Sequence, residues 1–131
     1  MAGFDIKFSG YQGPRSIHNR AVQVFGESLS GSLGDRVGFE HVLNITEQGR
    51  KAADLLTMVA SGETSLCYFS SSYLADKVPE IALFDLPFLI RDRAQAYSML
   101  DGLLGQLVVD KMAEAAEFRI VAWWDNGFRH F

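Results

Sequence analysis

The sequence has 131 residues, 48% of them hydrophobic and 21% charged, a size and balance that fit one folded domain and exclude a disordered chain. Lys and Arg total 12 against 16 Asp and Glu, a formal net charge of -4, which argues against nucleic acid or an anionic membrane surface as the main partner. Mean hydropathy is only +0.05. The most apolar stretch, Ile81 to Ile90, is interrupted by Asp85 and Pro87, well short of the ~20 apolar residues a membrane-spanning helix needs.

Phe4 to Ser9 alternates Phe4, Ile6 and Phe8 with Asp5 and Lys7, the period-two pattern of a first strand. After the loop Gly10 to Pro14, Ser16 is placed to cap a helix in which Ile17, Ala21, Val24 and Phe25 recur at three- and four-residue spacing, ending near Gly31 to Gly34. Arg36 to Asn44 puts Val37, Phe39, His41 and Leu43 on one face of a second strand. Arg50 to Ser61 predicts a helix with Ala52, Leu55, Leu56 and Val59 as its apolar stripe and Gly62 as a left-handed stop. Ser65 to Phe69 reads as a buried third strand, followed by polar loop or helix start at Ser70 to Ser72. Ile81 to Phe84 reads as a fourth strand, cut off at Pro87. Asp92 is expected to cap a helix over Arg93 to Leu100, and Asp101 a longer one with Leu104, Leu107, Val108, Met112 and Ala115 on one face. Phe118 to Asp125 is apolar on both faces through Ile120, Val121, Ala122, Trp123 and Trp124, which predicts a central parallel strand covered on each side. The alternation implies an α/β fold: an open, largely parallel sheet with helices on both faces, with residues 1–131 forming a single lobe.

The chemistry is sparse. The glycines at 26, 31 and 34 do not make GxGxxG, and no glycine-rich loop ends in Lys-Ser or Lys-Thr, so no nucleotide cofactor is expected. His18, His41 and His130 lack ligand spacing, so no metal is expected either. Cys67 is the one cysteine, so it has no intrachain disulfide partner and reads as a buried structural thiol. Met1 to Phe8 lacks the basic start and apolar run of a secretory signal, which leaves a cytosolic chain or a mature form. Asn44, Ile45 and Thr46 spell a glycosylation sequon.

Two segments invite a ligand. Ser70, Ser71 and Ser72 follow a buried strand, where open α/β sheets bind ligands; a helix cap plus turn explains any one of them equally well. In Trp123 to Phe131, Asn126-Gly127 signals a turn and Arg129 stands among aromatics. A guanidinium in such surroundings grips a carboxylate bidentately, or else lies over the rings as a cation-π partner.

Several blocks together resemble the N-terminal half of the solute-binding proteins of TRAP transporters (tripartite ATP-independent periplasmic, DctP type). They are Leu55 to Gly62 (LLTMVASG), Tyr68 to Leu74 (YFSSSYL), Val78 to Phe88 (VPEIALFDLPF), Asp101 to Gly105 (DGLLG) and Val121 to Phe131 (VAWWDNGFRHF), in family order. The resemblance implies one lobe of a periplasmic two-lobed binder that closes on a small organic anion, a mono- or dicarboxylate, and hands it to a membrane permease without covalent chemistry. Arg129 then matches the family arginine of Asn-Gly-x-Arg that helps hold the substrate carboxylate. Ser70 and Tyr73 fall in the loop that lines the cleft, Tyr11 in the loop after strand one, and His18 near the first helix start. The second lobe and its Leu-Arg-Val-Pro-like strand are absent from the 131 residues, so exposed strand edges are expected, and with them pairing with another copy.

Two rival readings stand beside this one. The first is a small α/β enzyme using Ser70, Tyr73 or His18 as acid or base. The second is a self-associating domain without a ligand.

Overall fold

The computed structural model describes residues 3–127, which divide into two units, one ending at Phe69 and one beginning at Ser70. In the first, β1 (Phe4–Ser9) is the middle strand of a parallel sheet ordered β2-β1-β3, with β2 at Val37–Val42 and β3 at Leu66–Cys67. β2 pairs along the whole of β1, from Phe4 opposite Val37 to Ser9 opposite Val42, while β3 pairs only with Phe8 and Ser9. The crossovers are α1 (Ile17–Leu33) and α2 (Asp54–Ser61). The first connection steps to one side of β1 and the second steps back past it, so two right-handed crossovers place their helices on opposite faces. The side chains agree. Phe8, Val22 and Tyr68 pack with Phe39 and Leu66 on the α1 side, and Ile45, Leu55 and Met58 pack with Val42, Cys67 and Phe69 on the α2 side. Successive residues Leu66 to Phe69 thus serve alternate faces, as a pleated strand requires.

Ser16 caps α1 as predicted, its hydroxyl accepting from the Asn19 N–H at 3.0 Å. The predicted apolar stripe of α1 is corrected: Ile17 and Val24 are 72% and 60% exposed, and the buried positions are Asn19, Val22 and Gly26. Packing against an aromatic strand selects them, because a Cβ at Gly26 would sit 2.3 Å from the Phe39 ring. Phe25 reaches the same cluster from the flank, with centroids 5.9 Å from Phe8 and from Phe39. α2 starts at Asp54 rather than Arg50, since the Asp54 carboxylate accepts from the Lys51 N–H at 2.8 Å and holds a turn ahead of the helix. Gly62, at φ 80°, ends it in the left-handed conformation the sequence predicts.

The second unit contains 3₁₀ turns at Ser71–Leu74 and Pro79–Asp85, then α3 (Arg93–Leu100) and α4 (Leu103–Ala115). Here two expectations are corrected. Ile81 to Phe84 is not a strand but part of the 3₁₀ segment, which Pro79 opens with its pre-set φ and which buries Ile81. Phe118 to Asp125 forms no strand among the described residues, and Val121 is 79% exposed instead of covered on both faces. Asp92 caps α3 as expected, accepting from the Gln95 N–H at 2.8 Å. α4 is capped by Gly102 and not Asp101, and its buried face is Gly105, Val108 and Met112, with Leu107 44% exposed. The Leu100 carbonyl leaves no room for a Cβ at Gly105, so close backbone approach, not bulk, sets that face. Glu80 and Lys111 form an ion pair in this unit.

Candidate functional site

Parallel strands bring their following loops to one end of the sheet, the end where open α/β folds take ligands. In the first unit that end gathers Gly10 to Gln12 after β1, Leu43 and Asn44 after β2, Tyr68 and Phe69 after β3, and the N-terminus of α1. Backbone bonds stitch the first two loops: Gly10 N–H donates to the Val42 carbonyl at 2.8 Å, Ile45 N–H to the Gly10 carbonyl at 2.9 Å, and Tyr11 bridges to Asn44. The Asn44 side chain of the sequon turns inward on its own loop, accepting from the Thr46 N–H at 3.0 Å and the Thr46 hydroxyl at 2.6 Å.

At the centre is Asn19, 2% exposed and fully engaged. Its Nδ2 donates to the carbonyls of Gln12 (2.8 Å), Gly13 (2.9 Å) and Leu43 (3.2 Å), which fixes the amide orientation. Its Oδ1 accepts from the Tyr68 hydroxyl at 3.0 Å and lies 3.4 Å from His41 Nε2. The Tyr68 oxygen in turn accepts from the Tyr11 N–H at 3.2 Å. One amide and one phenol therefore join the loops after all three strands. Gly10 makes this possible, for a Cβ there would be 2.6 Å from the Tyr68 hydroxyl and 2.8 Å from Asn19 Oδ1.

Aromatic faces line the same end. His18 stacks on Tyr68 at 5.3 Å with an interplanar angle of 30°, and its Nδ1 is 3.1 Å from Gln12 Oε1. Tyr11 lies 5.4 Å from the Tyr68 ring and 6.0 Å from that of Phe69. Burial pushes the Tyr68 hydroxyl above, and the His41 imidazolium below, their ordinary pKa values, so both are neutral near pH 7. Burial also raises the Cys67 thiol to about 11, which keeps it protonated. The wall is thus polar and aromatic, with Tyr68, His41 and Cys67 uncharged.

Of the predicted binding residues, Tyr11 and His18 come together against Tyr68. Ser70 and Tyr73 belong to the second unit: the Ser70 hydroxyl donates to Ser72 Oγ at 3.5 Å, its carbonyl accepts from the Tyr73 N–H at 3.2 Å, and Tyr73 is 69% exposed. Arg129 lies outside the described residues. Gln12, Asn19 and Tyr68 were not singled out from the sequence, although Asn19, three residues past the Ser16 cap and one helical turn before Val22, is a polar residue on an inward position. A groove of about 350 Å³ along the flank of α1 and β2, lined by residues such as Gln23, Phe39 and His41, is open to solvent and carries none of the predicted residues. Among the described residues no group of three or more His, Cys, Asp and Glu converges on a metal geometry, and no helix is long and apolar enough to cross a membrane.

Residues 8–131 match the family of bacterial extracellular solute-binding proteins, family 7, also called DctP. The chain belongs to this family. Its members are binders, not enzymes, which removes the acid-base reading of Ser70, Tyr73 and His18. A solute-binding protein of Verminephrobacter eiseniae is 31% identical over 110 residues, covering 84% of the chain and 32% of the relative. The 2,3-diketo-L-gulonate-binding periplasmic protein of Escherichia coli is 32% identical over 78 residues, 60% of the chain and 24% of the relative. Among solved DctP structures, a TRAP periplasmic solute-binding protein from Sulfurospirillum deleyianum with bound succinate superimposes with a TM-score of 0.77 at 27% identity, covering 87% of this chain and 36% of that one. A sugar acid binding protein from Advenella mimigardefordensis in complex with galactonate shares the fold, with a TM-score of 0.79 at 24% identity over 88% of this chain and 36% of that one. The chain spans about a third of the length of the relatives it matches.

Proposed function

We propose that the chain supplies one lobe of a periplasmic TRAP-type solute-binding protein that holds a small organic acid at the carboxyl ends of β1, β2 and β3 and delivers it to a membrane permease. The observation that carries this reading is the convergence of Tyr11, Gln12, His18 and Tyr68 at those strand ends, locked there by the buried Asn19 amide. A binder needs a pre-formed wall more than reactive groups, since ordering loops at the moment of binding subtracts from affinity. The neutral Tyr68 phenol offers hydrogen bonding without repelling an anion. The match to the family's Asn-Gly-x-Arg motif supports Arg129 as the carboxylate anchor, and the same resemblance supports Ser70 and Tyr73 as polar contacts. Succinate and galactonate, the ligands named for two similar structures, support a mono- or dicarboxylate as the substrate class, sugar acids included.

Isothermal titration of succinate and galactonate into the protein, expressed in the complete reading frame that carries this chain, tests the proposal. Arg129→Ala is expected to lose ~1.5 to 3 kcal/mol of binding, the worth of a charge-assisted hydrogen bond. Unchanged affinity in that variant removes Arg129 as the anchor.

A further inference from the structure

We propose that Asp125 is a positioning residue for the anion site, its carboxylate fixing the turn two residues ahead of Arg129 by gripping Arg93, Tyr97 and the Gly127 N–H together. The inference rests on the reading of Arg129 as the carboxylate anchor.

The geometry is a three-donor clamp on one carboxylate. Tyr97 Oη donates to Asp125 Oδ2 at 2.7 Å, Arg93 Nε pairs with the same oxygen at 2.8 Å, and the Gly127 N–H donates to Oδ1 at 2.6 Å. Arg93 and Tyr97 stand four apart on α3 and so share one face of the helix. The Asp125-to-Gly127 bond closes an Asx turn, and Gly127 completes it at φ 83°, a conformation that favours glycine. Residues 118–127 belong to no helix or strand, so side-chain bonds take over the work that a sheet ladder does for the loops of the first unit.

The clamp also settles the charge of its own carboxylate. Asp125 is already compensated by Arg93, and the hydrogen bond from Tyr97 is the leading cause that holds its pKa below the ordinary carboxylate range. It remains an ionised acceptor for the turn across the neutral range.

The test is a double-mutant cycle in the complete reading frame, with succinate and galactonate as probes, affinity read by ligand-detected NMR at millimolar concentrations and thermal midpoints recorded alongside. Asp125→Ala is expected to weaken binding about tenfold with Arg129 present and to add less than twofold in the Arg129→Ala background, the signature of a residue acting through another. Tyr97→Phe and Arg93→Gln, each removing one donor, are expected to weaken binding a few-fold, and Asp125→Asn to recover part of the loss. If Arg129→Ala binds as the parent does, the anchor reading falls and this proposal with it. If Arg129→Ala loses affinity while Asp125→Ala, Tyr97→Phe and Arg93→Gln stay within twofold, the clamp is overturned and the anchor stands. Equal losses from Asp125→Ala in both backgrounds, with a lowered midpoint, also overturn the clamp, because they mark a general structural role.

Discussion

The unit that ends at Phe69 and the unit that begins at Ser70 reach order by different means. In the first, a parallel sheet fixes the backbone and its loops inherit their positions from the strands, with a buried amide making the last adjustments. In the second, 3₁₀ turns and two helices leave large apolar side chains on the surface, Phe88 at 93% and Leu103 at 92% exposed, and a salt-bridged carboxylate holds the final segment. Loops placed the first way resist solvent and salt; a turn held the second way depends on a few exposed charges.

Substitutions can break this contrast. The largest stability effect is expected from Leu55→Ala, a fully buried side chain under the sheet, at ~2 to 5 kcal/mol by urea unfolding. Leu103→Ala in the second unit removes the same atoms from a 92% exposed position and should stay within ~0.5 kcal/mol. Next comes Asn19→Ala, which removes an acceptor of the Tyr68 hydroxyl and the shared donor of the Gln12, Gly13 and Leu43 carbonyls and is expected to cost about 3 kcal/mol. Ser16→Ala and Asp92→Ala delete one cap in each unit and should each cost ~1 kcal/mol, a matched pair showing whether both regions report the same loss.

The pH response sharpens the comparison further. The Cys67 thiol is raised to about 11 by burial, so iodoacetamide at pH 8 should label the native protein far more slowly than the urea-unfolded one. Because the folded state keeps this proton after the unfolded chain has lost it, stability should fall as pH rises from about 9 to about 11. Fast native labelling at pH 8 would contradict the burial of the α2 face of β3.

Local signals carried the legible part of the fold. Ser16, Gly62 and Asp92 act on their own backbone neighbours, and each is found where its chemistry places it. On α4, Val108 and Met112 are buried as expected, while Asn19 and Gly26 on α1 and Gly105 on α4 were missed because they are chosen by what lies opposite them, a polar loop cluster, an aromatic ring and a carbonyl, none of which periodicity reports. Ile81 to Phe84 shows the limit of a short apolar run, which fits a strand or a buried helical turn equally until Pro79 decides. At the candidate site, the positions of Tyr11 after β1 and of His18 at the start of α1 were legible through the family resemblance. Tyr68 was not, since its hydroxyl bonds 49 residues back to Asn19, a partner only the folded chain supplies.

The single carboxamide of Asn19 makes the loops around it one mechanical body. A change of side chain at Gln12 leaves this link in place, because it is the Gln12 carbonyl that the amide holds. Any change that shifts the Gln12 backbone would drag the segments carrying Leu43 and Tyr68 with it. Side chains at this end of the sheet can therefore vary far more freely than the backbone that carries them.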